Sequence, residues 1–167
     1  MKKITASLLL SSFILFVFVA NVKAATTGIV SATVTVQNVS VSVSDGIIAY
    51  GTLSTNDTSD TTSTGVNDSQ TTTNNGNVAE DFNIQGSDSA NWTLGATVDS
   101  DQYFHKFCTT DCDGSPVWTA LTSIYQTLSS SVAASGTQEF DLQIGTPSSS
   151  SNYTQQSVDV TVQAVAS

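Results

Sequence analysis

The apolar positions of this chain recur mostly at every second residue. Val30, Ala32, Val34 and Val36 alternate with polar residues, a spacing that predicts a strand. After Gln37-Asn38 the phase slips by one, and Val39, Val41 and Val43 carry the alternation on odd positions. Such a slip turns the side chains to the opposite face, the mark of a bulge or of a strand crossing between sheets. Asp45-Gly46 predicts a turn and residues 47–53 the next strand. Residues 54–77 are almost wholly Ser, Thr, Asn, Asp and Gly and predict a long polar loop holding one short strand near 69–73.

Beyond the Asn74–Asn77 turn the alternation returns. Strands are expected over 78–85, with Phe82 and Ile84 sharing a face, and over 91–98, with Trp92, Leu94 and Ala96 aligned. Further strands fit 102–108, 139–146 and 158–164. Residues 118–128 begin as a strand and end in a pattern open to either a strand or one helical turn. Eight to ten short strands with regular turn signals predict an all-β fold: a two-sheet antiparallel β-sandwich, immunoglobulin-like or jelly-roll.

The N-terminus departs from this pattern. Lys2 and Lys3 precede an apolar stretch from Leu8 to Ala20, and Val22-Lys23-Ala24 places small residues at −3 and −1 of a cleavage site. The apolar run falls short of the ~20 residues that span a bilayer. Residues 1–24 are therefore expected to be a bacterial-type signal peptide, and residues 25–167 one secreted domain, extracellular or at the cell surface, exported by the general secretory route. No membrane association is expected after cleavage.

Charge sharpens that picture. Three of the four basic residues lie in the leader, and the chain has no arginine. Residues 25–167 keep Lys106 alone against 14 carboxylates, hence a formal net charge of −13. Such an acidic surface repels phosphate backbones, which excludes nucleic acid as a partner. Ser and Thr supply about a third of residues 25–167, yet the apolar alternation argues against disorder.

Candidate chemistry is sparse. Cys108 and Cys112 are the only cysteines, and in an exported chain they are expected to form a disulfide that staples a turn. Asp111 and Asp113 flank Cys112 ahead of Gly114 and are the best candidates for a calcium site, although solvated turn residues explain them as well. No other cofactor is expected. His105 is the sole histidine, on a strand face with Tyr103 and Phe107, where packing is the simpler role. No nucleophile elbow accompanies it. Glu80, Asp81, Glu139 and Asp141 can be nominated as glycosidase carboxylates without any marker of a cleft. Catalysis is not expected. Trp92 and Trp118 are the candidates for stacking on sugars.

Several stretches look familiar together: Val39-Ser-Val-Ser-Val-Ser-Asp-Gly46 leading to Tyr50-Gly-Thr-Leu53, Asn91-Trp-Thr-Leu94, Tyr103-Phe-His-Lys-Phe107, Trp118-Thr-Ala-Leu121, and Phe140-Asp-Leu-Gln-Ile144. They resemble small exported bacterial β-sandwich surface proteins of unassigned function. Trp92-Thr93-Leu94 is similar to the motif of WxL cell-surface domains, which bind cell wall without catalysis, but no second Trp-x-Leu lies near the C-terminus. The doubly phased segment 28–44 resembles the donor strand of exported fibre subunits, which implies addition to the edge of a neighbouring copy. The competing reading makes 28–44 the first strand of its own sandwich. Two functions follow. One is an extracellular structural or surface protein that self-assembles through residues 28–44. The other is a non-catalytic module for a cell-surface polymer, cell wall or glycan.

Overall fold

The computed structural model describes residues 26–167, and the expected signal peptide lies outside them. Residues 35–167 form one compact unit, while residues 26–34 belong to a separate N-terminal one.

The compact unit is all-β, with ten strands in two sheets. In chain order they are β1 (Val41–Val43), β2 (Thr58–Asp60), β3 (Gln70–Asn74), β4 (Glu80–Gly86), β5 (Thr93–Gly95), β6 (Gln102–Cys108), β7 (Thr119–Ala120), β8 (Gln126–Val132), β9 (Thr137–Gly145) and β10 (Val160–Ala166). The larger sheet runs β1-β3-β9-β6-β5, with β2 added on β9 and β7 on β6. The smaller sheet runs β10-β4-β8. The arrangement is consistent with a sandwich, with one correction to the antiparallel expectation: β5 pairs with β6 in parallel, Leu94 opposite Tyr103. The chain achieves this within six intervening residues, turning at Asp101 (φ 51°).

Alternation forms the core as expected where apolar residues carry it. β4 alternates buried and half-buried positions along its whole length, turning Phe82 and Ile84 inward. These pack with Phe107, Leu121, Leu128, Phe140 and Leu142. Each such side chain contributes roughly 1.5–3 kcal/mol by leaving water. The ambiguous second half of 118–128 resolves into the start of β8, a strand, with Leu128 buried.

Three expectations are corrected. The polar loop 54–77 holds the short strand expected near 69–73, which is β3, and a second strand that was not expected, β2, both paired with the central strand β9. Gln70, Thr72 and Asn74 alternate into the interior of β3, which succeeds because hydrogen bonds replace the water they lose. The Thr72 hydroxyl donates to the Gln138 carbonyl, and the Asn74 amide donates to the carbonyls of Val78 and Val132. Second, residues 47–53 join no strand despite their apolar content. Third, only Val41–Val43 of the N-terminal segment joins a ladder, pairing with β3. Residues 27–36 form no strand, and Ile29, Val30, Val34 and Val36 are 96, 93, 91 and 82 % exposed.

Candidate functional site

An open groove of about 1220 Å³ marks the compact unit. Its two flanks are residues 46–55 and 152–162. Phe140, Leu142 and Ile144, which β9 turns inward, line it together with Trp92 and His105. Val158, Val160 and Val162 line it from the approach to β10 and from β10 itself.

Neither 46–55 nor 152–159 joins a strand. Among the described residues, the backbone of Ile48–Leu53 makes no hydrogen bond; the nearest are Ile47 N–H to the Asp45 carboxylate and Thr146 hydroxyl to the Ser54 carbonyl. Gln155–Val158 is equally bare, and Asp159 is held by the Ser87 hydroxyl. Beyond it, β10 pairs with β4 on one side only. Unpaired N–H and C=O groups on extended chain are a template for another strand.

One side chain ties the first flank down. Tyr50 reaches across to His105, and the hydroxyl and Nε2 share a hydrogen bond of 3.0 Å. His105 is 3 % exposed, and its Nδ1 meets no partner. Burial without a counter-charge penalises the imidazolium and lowers its pKa to about 4. Burial raises the Tyr50 phenol as well, helped by the negative charges of Asp60, Asp68 and Asp141. At neutral pH both groups are uncharged, so the pair acts as a polar rivet inside an apolar wall.

The sequence candidates fall in different places. Trp92 lines the groove, half-buried, with its indole N–H donating to the Ser150 hydroxyl at 2.9 Å and its ring 6.3 Å from that of Tyr103. Trp118 is half-buried just ahead of β7. Cys108 and Cys112 form the expected disulfide, with Cα atoms 5.8 Å apart.

Asp111 lies in the turn that this disulfide closes and Asp113 directly follows it; both border a smaller, polar depression of about 280 Å³ with Glu139 and Asp141. Their local geometry accounts for their chemistry. Asp111 sits at φ 51° and its carbonyl accepts from Gly114 and Ser115. Asp113 accepts from the Ser63 N–H at 2.7 Å, which holds its carboxyl below the usual range. Among the described residues no group of three His, Cys, Asp or Glu side chains is arranged to hold a metal ion.

No family model, curated protein or solved structure matches this chain.

Three of the nominated carboxylates bond to groups of the fold. Asp141 is buried and accepts from the hydroxyls of Thr61 and Ser69, both at 2.7 Å. Asp81 faces out, where bonds from Ser131 and Ser167 lower its pKa. Glu80 is fully buried, with Oε1 accepting from the Ser40 N–H and Oε2 without a partner. Around it, Asn75 N–H donates to the Ser40 carbonyl, Asn77 N–H to the Asn38 carbonyl, and the Asn77 amide to the Val36 carbonyl. Residues 36–40 are thus pinned to the body directly ahead of β1.

Proposed function

We propose that this is a secreted structural or surface protein without catalytic activity, which assembles with copies of itself through strand addition by its N-terminal segment. The observation that carries the reading is the contrast along one alternating segment. Val41–Val43 is consumed in its own sheet, while Val30, Val34 and Val36 before it stand almost fully in water. Bare apolar side chains on extended backbone favour pairing with another chain. The Cys108–Cys112 disulfide supports an oxidising location, in keeping with the leader. The test is assembly of the protein after leader removal, followed by sedimentation and negative-stain microscopy. Concentration-dependent oligomers or fibres are expected, and strictly monomeric particles at high concentration refute the reading.

A second reading, binding of a wall polymer or glycan, draws on Trp92 in the groove and on Tyr153 beside it, 83 % exposed. Co-sedimentation with insoluble polysaccharide, lost on Trp92→Ala, is its expected signature.

A further inference from the structure

We propose that the groove is the acceptor site for residues 28–36 of a second copy of this chain, which enter as an added strand between the two bare flanks. The inference rests on the assembly reading and adds the place where the incoming segment docks. Four observations carry it.

The first is hydrogen bonding. The groove is bordered by chain whose backbone groups make no hydrogen bond among the described residues: Ile48–Leu53 on one side, Gln155–Val158 and the outer edge of β10 on the other. A strand laid along either border gains backbone partners there.

The second is side-chain chemistry. Val30, Ala32, Val34 and Val36 lie on one face of an extended segment, and Ser31, Thr33 and Thr35 on the other. The groove is lined on its inner side by Phe140, Leu142, Ile144, Val160 and Val162. Val160 and Val162 remain only half-buried although they face the core. An inserted strand would cover them and bring its own valines out of water while leaving its hydroxyls outside.

The third is length. Nine extended residues span about 30 Å at ~3.3 Å each, enough to run the whole of a seven-residue flank such as 47–53.

The fourth is charge. Residues 25–44 contain no charged side chain, whereas the rest of the secreted chain carries all 14 carboxylates. Two such bodies repel one another, and a neutral segment is the part of the chain that approaches without that penalty. Chain direction makes the donor a second copy. The groove flank leaves β1 after Val43, while residues 35–40 enter β1 at its other end, pinned by Asn75 and Asn77.

The test uses the protein after leader removal in three forms: unaltered, Val30→Asp/Val34→Asp in the segment, and Ile48→Asp/Val158→Asp at the groove. Ile48 and Val158 are half-buried at the groove margin, and circular dichroism and thermal melting establish that each variant is folded. A synthetic peptide of residues 26–37 is the probe. The unaltered protein is expected to oligomerise, more strongly as salt rises from 20 to ~300 mM because the bodies are screened. Both double variants are expected to be monomeric. The peptide is expected to bind the segment variant one to one, and at least tenfold more weakly to the groove variant. Assembly that survives in the groove variant, with no peptide binding to the segment variant, overturns the acceptor site but leaves the assembly reading standing. A monomeric unaltered protein overturns both, and protection of residues 28–36 from hydrogen exchange in that monomer identifies the segment's own body as the occupant.

Discussion

Two neighbouring stretches of this chain behave in opposite ways. Residues 47–53, with Ile47, Ile48, Tyr50 and Leu53, run beside the groove and join no strand. Residues 58–74, built of Thr, Ser, Asp, Asn and Gln, supply two strands to the sheet that carries the core. Apolar content therefore does not decide which stretch becomes strand. What decides is a partner edge together with hydrogen bonds for the groups that are buried. β9 supplies both to the polar stretch: it pairs with β2 and β3, and Asp141 accepts from Thr61 and Ser69. The apolar stretch has side chains to bury but no strand beside it.

The contrast is open to several breaks. Asp141→Leu should have the largest effect. It strips the buried Thr61 hydroxyl and the Ser69 hydroxyl of their acceptor, at a cost of roughly 3 kcal/mol for the two orphaned donors. A fall in the urea midpoint of unfolding with the m-value retained would show it, and an unchanged midpoint would mean that the polar stretch does not depend on β9 in this way.

Acid should act next, through His105. The folded state holds the imidazole neutral with a pKa of about 4, against 6.5 for the free side chain. Protons therefore favour the unfolded chain. Stability from this source is complete above pH 6.5, declines as the pH falls towards 4, and is lost below it, by about 3 kcal/mol at most. Melting curves from pH 7 to 4.5 should show the decline, and His105→Phe should flatten it. The carboxylates of Asp81, Asp101 and Asp113, whose hydrogen bonds lower their pKa, lose their contribution only below the ordinary carboxylate range, so the two windows are separable.

Tyr50→Phe should cost about 1 kcal/mol, the net worth of one partly buried hydrogen bond. Thermal melting should show the loss, whereas the amides of 48–53, which make no hydrogen bond among the described residues, should exchange fast with or without the Tyr50 hydroxyl. The smallest effect belongs to Leu53→Ser, expected below ~1 kcal/mol in the isolated monomer because the side chain is half-buried. Its effect on stability should grow in the assembled state if a second chain covers the groove. An equal cost in both states would count against that cover.

The sequence made some of this legible and hid the rest for physical reasons. β4, β9 and β10 were readable because Phe82 and Ile84, Phe140, Leu142 and Ile144, and Val160, Val162 and Ala164 repeat at every second position, a signal local to each strand. The Cys108–Cys112 bridge was readable because its partners lie four residues apart. β3 was readable as a short strand near 69–73, whereas β2 was hidden, as were the inward roles of Thr61, Thr72 and Asn74, whose partners arrive from 58 to 80 positions away. The lack of a ladder over 47–53 was hidden for the converse reason: alternation reports a face to bury and is silent on whether an edge exists. Local pattern held no sign of the parallel β5–β6 pairing or of the groove, because both depend on how distant strands are ordered. The Tyr50–His105 rivet, 55 residues apart, had only the solitary histidine to hint at it.

Lys106 lies in β6, its Nζ 4.0 Å above the Phe104 ring, and its backbone is held between Gln143 of β9 and Ala120 of β7. It is also the only basic side chain of residues 25–167. A protease that cuts after lysine or arginine thus has a single target there, in the middle of a sheet. Reaching it means pulling β6 away from both neighbours, which amounts to opening the core. The domain should outlast trypsin for as long as it stays folded, and the rate of that one cut would then serve as a clock for global unfolding.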